Sequence, residues 1–261
     1  MSYAFISGAT GGIGRAFAFA LAKRGYDLIV TGRSQGKISA LKASIHEKYD
    51  VVVEGVPCDL SNERSRKKLL TFIDEKNVKF SKIINVAGID TQKPFMDYSE
   101  EKILRQIRVN TEAAVMLTYS LLKRRESEVE VLAISSMSGV TPMPYFAIYS
   151  ATKAMLTNFF TALHYELKKE KVKVSVILPG GVYTRPDVVE EIKSQGLWGK
   201  LSAKSPEYVA EKSLKAVRKN RVKYIPGFFN RFLNVLMKIA PKKIVLSFIA
   251  RRWKKHSKDA F

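Results

Sequence analysis

Cysteine is nearly absent: Cys58 stands alone among 261 residues, so no disulfide can form within the chain and a reducing, cytoplasmic setting is expected. Histidine is scarce too. His46, His164 and His256 are scattered without the spacing of metal ligands, and no metal site is expected. No apolar run is long enough to cross a bilayer; the longest towards the end, Ile244 to Ala250, is broken by Ser247. The opening residues enter an apolar stretch at once, with neither a basic leader nor a cleavage pattern. Acids are outnumbered, 24 against 45 Lys and Arg, for a net charge of +21. That shortage is local. From Lys212 onwards fifteen Lys and Arg face one acid, Asp259, making +14, while the rest carries thirty against twenty-three, or +7. The pattern is that of a near-ordinary body joined to a strongly basic tail.

What the sequence does have is core. Apolar residues at 46% and aromatics at 10% suffice for one α/β domain of this length. Short β-branched runs predict strands near 2–7, 26–31, 51–57, 81–86, 129–135, 172–178 and 222–225. Segments of helical period fill the gaps near 12–24, 34–48, 62–77, 99–125, 145–170 and 206–219. The strands are apolar on both faces, as in a parallel sheet covered by helices. The expected fold is therefore α/β, a Rossmann-like doubly wound parallel sheet of about seven strands. It is expected to occupy residues 1–227, with a basic amphipathic helical tail over 228–261. Residues 185–205, with Trp198 between Gly196 and Gly199, lack clear periodicity and suit an active-site lid; a short helix over 187–194 is compatible with that.

The first strand ends in Ser7-Gly8-Ala9-Thr10-Gly11-Gly12-Ile13-Gly14 before a helix. A glycine-rich turn there lets backbone approach a pyrophosphate and aims helix N–H groups at it. Two spacings fit, Gly8/Gly12/Gly14 and Gly8/Gly11/Gly14; the pattern of six with glycines first, third and sixth does not. The second strand closes Val30-Thr31-Gly32-Arg33-Ser34 with no acid. An acid there would hold a ribose 2′-OH, whereas Arg33 can fork onto a 2′-phosphate with Ser34 nearby, so NADP(H) is expected over NAD(H).

Tyr149 and Lys153, four residues apart at the start of a long helix, share one face. A free phenol titrates near about 10; a neighbouring ammonium, or a nicotinamide cation, favours the phenolate and tunes it for acid/base work. Ser136 lies at the end of the fifth strand, where open α/β sheets bind ligands, thirteen residues before Tyr149. Ser135 and Ser138 are competing candidates for the same position.

Together these residues resemble the short-chain dehydrogenase/reductase superfamily in its shorter, single-domain form, over roughly residues 3–227. Gly8, Gly12 and Gly14 match its cofactor turn, Asp59 and Leu60 its adenine contact, and Asn85-Val86-Ala87-Gly88 its fourth-strand motif. Asn110 matches its helix asparagine. Ser136, Tyr149 and Lys153 match its catalytic serine, tyrosine and lysine, and Pro179-Gly180 with Thr184 its nicotinamide-closing segment. Ser7 stands where the family has Thr, and Val86 where it has a second Asn. The glycine spacing also admits the extended branch, which needs a larger C-terminal substrate domain. The resemblance implies that Ser136 polarises a carbonyl, Tyr149 is the acid/base, Lys153 lowers its pKa and holds ribose, and Asn110 positions a water. Cofactor contacts are expected from Gly8, Thr10, Gly11, Gly12, Ile13, Gly14, Arg33, Ser34, Asp59, Leu60, Asn85, Ala87 and Gly88, and from Tyr149, Lys153, Pro179, Gly180, Val182 and Thr184.

The expected function is NADP(H)-dependent hydride transfer at a carbonyl or hydroxyl. Met137, Met143, Tyr145, Phe146 and Trp198 suggest an apolar pocket and a lipophilic substrate. In the tail, Phe232, Leu233, Val235, Leu236 and Ile239 precede Pro241. Ile244, Val245, Phe248, Ile249 and Trp253 follow it, flanked by Lys242, Lys243, Arg251, Arg252, Lys254 and Lys255. Such stripes fit a membrane interface; they equally fit helices packed on the body or joining subunits of a homodimer or homotetramer. Nucleic acid is not expected, because no reading motif accompanies the charge. The alternative to an enzyme is a catalytically quiet cofactor-binding protein whose tail binds membrane or another polyanion.

Overall fold

The computed structural model describes residues 2–194, 196–254 and 258–259. Its sheet has seven parallel strands: β1 (Tyr3–Ser7), β2 (Asp27–Gly32), β3 (Val53–Pro57), β4 (Phe80–Asn85), β5 (Arg125–Ile134), β6 (Val172–Ile177) and β7 (Lys223–Tyr224), in the order β3-β2-β1-β4-β5-β6-β7. Around it lie α1 (Gly12–Ala22), α2 (Gln35–His46), α3 (Glu63–Lys76), α4 (Glu100–Ile107), α5 (Ala113–Leu122) and α6 (Ala147–Glu166). They are followed by α7 (Pro186–Ser194), α8 (Gly196–Ser202) and α9 (Pro206–Arg218), then α10 (Phe228–Ile239) and α11 (Lys242–Trp253).

Strand periodicity divides the core. Successive side chains point to opposite faces of a sheet. Thus Ala4, Ile6, Leu28, Val30 and Ile84 pack with Phe17 and Leu21 of α1, Ile38 and Leu41 of α2, and Val217 of α9. Phe5, Ile29, Ile83, Val131 and Ala133 pack on the other side with Leu69 of α3, Leu117 of α5 and Phe160 of α6. The strand order reverses direction between β1 and β4, so a crevice opens at their carboxyl ends, the usual ligand position in open α/β sheets.

Three elements differ from expectation. The helix expected over 99–125 is interrupted by a π-turn at Arg108–Glu112, and β5 begins at Arg125, four residues early. The aperiodic segment 185–205 contains two short helices, α7 and α8. The tail forms α10 and α11 on either side of Pro241, and it is anchored. Buried Asn230 of α10 donates to Ser202 O at 2.8 Å and Pro226 O at 3.0 Å. Ile249 of α11 is buried, and the Trp253 ring meets Phe146 edge-on at 5.4 Å. Thr91–Gln92 pairs antiparallel with Lys258–Asp259. Lys255 and His256 lie outside the described residues, as does the side chain of Trp198.

Candidate active site

The turn between β1 and α1 is built on missing side chains. Gly8 has φ +66°, and a Cβ on it would lie 2.8 Å from Ala87 Cα; one on Gly14 would lie 2.2 Å from Gly8 O. Gly11 N–H closes the turn by donating to Gly8 O at 3.1 Å, and Ala9 N–H donates to Thr31 O at 3.0 Å. Helix α1 then starts with no side-chain cap and no acid in its first turn. The positive end of its dipole and its first N–H groups are thereby left to an anion, and the turn fits a pyrophosphate. From the far side Thr184 presses on Gly12, where a Cβ would lie 2.9 Å from Thr184 Cβ, and Thr10 packs against Gly32.

At the end of β5 the adjacent serines separate. Ser135 points into the body, where its Oγ donates to Lys153 O at 2.7 Å and meets Thr157 Oγ1 at 2.7 Å. Ser136 points to the crevice; its Oγ accepts from Ser138 N–H at 3.1 Å, and its hydroxyl lies near enough to Tyr149 to pull the phenol's pKa down. Lys153 is buried, with Nζ donating to Ile134 O at 2.9 Å and lying 5.6 Å from the Tyr149 ring centre. A Cβ on Gly88 would come within 3.0 Å of that ammonium, and one on Gly139 within 2.7 Å of the Lys153 backbone. Ser136, Tyr149 and Lys153 thus share one end of the sheet beside the glycine turn.

A family model described as short chain dehydrogenase matches residues 2–195. The chain belongs to that family. A very-long-chain 3-oxoacyl-CoA reductase from Bos taurus is 32% identical over 221 residues, covering 82% of this chain and 68% of that protein. The enzyme of the same name from Kluyveromyces lactis is 31% identical over 186 residues, covering 68% and 54%. The chain therefore spans between about half and two thirds of the length of these relatives. Among solved structures, a 7β-hydroxysteroid dehydrogenase superposes with a TM-score of 0.84 at 24% identity, covering 95% of this chain and 96% of that one. A short-chain dehydrogenase from Sphingobium yanoikuyae in complex with NADPH gives 0.75 at 24% identity, covering 92% and 97%. These structural likenesses bear on the fold alone.

Within this short-chain dehydrogenase, several matched residues do something local as well. Asn110, in the π-turn and fully buried, clamps one peptide: Oδ1 accepts from Ile89 N–H at 2.8 Å, and Nδ2 donates to Ile89 O at 2.9 Å and Thr152 Oγ1 at 3.0 Å. Asn85 turns its amide to Thr118 of α5 at 2.9 Å, and its Oδ1 has no partner among the described residues. Ser34 caps α2 by accepting from Lys37 N–H at 3.3 Å, beside exposed Arg33. Burial works against the Asp59 charge. Hydrogen bonds from Ser61, followed by the Arg105 and Arg33 guanidiniums, outweigh it and hold the carboxyl below its ordinary range. Leu60 is buried, and its carbonyl accepts from Arg66 at 2.5 Å. Ala87 N–H donates to Ser7 Oγ at 3.3 Å, the role left to the serine in the family's Thr position. Pro179 O accepts from Met137 N–H at 2.9 Å, and Val182 is buried beside Lys204. Gly180 is bare for a reason of its own, because a Cβ there would lie 2.8 Å from the Asn230 amide.

Burial, and then the negative charge of Asp90, push Tyr149 well above the usual phenol range, with a smaller downward pull from nearby Ser136. Burial pushes Lys153 down to about 8, against a smaller upward pull from Asp90. Asp90 was not singled out in the sequence. It follows the clamped Ile89 and lies 3.7 Å from Arg185, joining the two sides of the crevice. Pairing across 95 residues leaves no local signal. Nor did the sequence show that Phe146, 5.6 Å from the Tyr149 ring, would meet Trp253 on its other side.

Proposed function

We propose that the chain is an NADPH-preferring reductase acting on the carbonyl of a lipophilic substrate of the 3-oxoacyl thioester class. The observation that carries the reading is the convergence of the Ser136 and Tyr149 hydroxyls with the Lys153 ammonium behind them. Relatives named 3-oxoacyl-CoA reductases support the substrate class, and the apolar wall formed by Phe146 and Trp253 supports its lipophilic part. When bound, a nicotinamide cofactor supplies hydride exchange with carbon. The β1–α1 turn from Gly8 to Gly14 would hold its pyrophosphate, Arg33 and Ser34 a 2′-phosphate, and Asp59 and Leu60 the adenine. Asn85, Ala87, Gly88, Pro179, Gly180, Val182 and Thr184 would line the remainder.

During reduction Ser136 Oγ donates to the carbonyl oxygen, drawing charge onto it. Tyr149 gives its phenolic proton to the developing alkoxide. The phenolate left behind faces Lys153, whose ammonium steadies it and, with its lowered pKa, exchanges protons near neutrality. Asn110 acts through Ile89, fixing the backbone that carries Asp90. We further propose that residues 1–227 form the catalytic unit and 228–261 an appended tail. Self-association through exposed Met116 and Tyr119 of α5 is proposed too.

The deciding experiment gives the purified chain a long-chain 3-oxoacyl-CoA with NADPH or NADH and follows cofactor absorbance. NADPH turnover is expected, with a loss of about 10²–10⁴-fold in Tyr149→Phe and near-equal use of both cofactors in Arg33→Ala. Undiminished turnover by Tyr149→Phe would sink the acid/base assignment, and equal affinities in the unmutated chain would sink the cofactor preference.

A further inference from the structure

Helices α8, α10 and α11 leave a large apolar surface in water although each is anchored to the body. On α10, Phe228, Phe232, Val235, Leu236 and Ile239 recur at helical spacing and are 48–78% exposed. On α11, Ile244 and Phe248, one turn apart, are 64% and 63% exposed. On α8, joined to α10 through the Asn230–Ser202 bond, Leu197 and Leu201 repeat the pattern. The inward face is accounted for by Asn230, Ile249 and Trp253. An outward stripe of this extent is not leftover core, and exposed apolar surface on this scale marks an interaction site.

Charge selects the occupant. Residues 228–254 carry seven Lys and Arg and no acid, and Arg231, Lys238, Lys242, Lys243 and Arg251 are exposed around the stripe. A second copy would meet this face through a twofold axis, which sets the same patch against itself. Seven cations would then oppose seven with no carboxylate between them. A nucleic-acid backbone would satisfy the cations but leave the phenylalanines and isoleucines against phosphate. Only a surface that is anionic at one depth and apolar just beneath matches both features.

We propose that α8, α10 and α11 form a docking face for an anionic lipid bilayer, lying in the interface without crossing it. Among the described residues no helix is long and apolar enough to span a membrane. Phe232, Ile239 and Phe248 enter the acyl boundary while Arg231, Lys238, Lys242 and Lys243 meet headgroup phosphates. The same unit reaches the crevice, since Trp253 at the end of α11 touches Phe146 and Phe146 touches Tyr149. Docking is independent of the proposed reduction and is read without substrate.

The test sediments the full chain with phosphatidylglycerol–phosphatidylcholine vesicles and with phosphatidylcholine vesicles, at low and high salt. Binding should favour the anionic vesicles by about fivefold per engaged cation and keep a salt-resistant remainder from apolar insertion. F232E/I239E should lower binding at least about tenfold at both salt concentrations, whereas K238Q/K242Q/K243Q should remove only the salt-sensitive part. Both positions in the first variant are exposed, so its melting temperature should match the parent; F232S/I239S gives the same reading should glutamate disturb the helix. Failure of the intact chain to sediment with anionic vesicles at low salt overturns the proposal. So does binding that salt abolishes and F232E/I239E leaves unchanged, which would indicate a general polyanion site. An oligomer that F232E/I239E dissociates, without vesicle binding, would assign the face to a second copy instead.

Discussion

Burial acts in opposite senses on two neighbours, Tyr149 and Lys153, and Asp90 lies near enough to both to be felt. Its negative charge favours the protonated form of each. Asp90→Asn therefore removes an upward push on the phenol. The limb of the pH–rate profile governed by Tyr149 should move to lower pH, and alcohol oxidation near neutrality should rise several-fold; a pH profile of kcat/KM checks this. Lys153 makes a different statement, about stability. Its folded pKa is about 8 against 10.5, so between those values the unfolded chain binds more protons and stability rises with pH. Below pH 8 the full penalty of the buried ammonium is present. Lys153→Met should remove it, less the hydrogen bond lost at Ile134 O, for a gain of about 1–2 kcal/mol at pH 7 that fades above pH 10. Urea denaturation of the inactive variant at both pH values measures it. Which of Ser135 and Ser136 faces the crevice was not legible from spacing alone, because neighbours on a strand alternate and either register satisfied the sequence pattern.

Elements were more legible than their joints. Apolar runs placed the strands of the sheet; in central strands such as β2 and β6, burial on both faces leaves a plain β-branched run. The π-turn around Asn110 left no such mark: an extra residue in a helical turn changes hydrogen bonding without changing composition. Segment 185–205 read as irregular because α7 and α8 are short and both Gly196 and Gly199 fall within α8. The joint between the tail and the body is equally silent in sequence. Asn230 fills the space that Gly180 leaves, and its amide satisfies two carbonyls. Asn230→Ala should cost about 2–3 kcal/mol, as both acceptors lose their donor. Gly180→Ala should also destabilise, through overlap with the amide. The double variant should cost less than the sum, because the overlap vanishes with the amide. Urea midpoints of the three variants test that coupling.

At the scale of the molecule, the parallel sheet and its covering helices followed from the alternation of patterns, whereas the strand order did not; the site residues followed from a motif set that converges on one sheet end. The wall of that site contributed by α11 did not, because Phe146 and Trp253 are 107 residues apart. If the tail were only a surface appendage, its removal would leave the body untouched. Since Trp253 packs on Phe146 and Ile249 is buried, deleting residues 241–261 should lower the melting temperature by roughly 5–10 °C and reduce kcat/KM for long-chain substrates. Calorimetry beside steady-state kinetics separates the two effects.

The position of β1 inside the sheet also sets a timetable. It pairs with β2 on one side and with β4 on the other, Tyr3 opposite Phe80. During synthesis at about 5–20 residues per second, one edge of β1 waits roughly 4–15 s for β4 to emerge. Through that interval an apolar strand with open backbone groups is exposed to other nascent chains. Faster translation across residues 33–79 would shorten the wait, and a pause there would lengthen it, so yield in the cell is tied to ribosome speed over the stretch between the two strands.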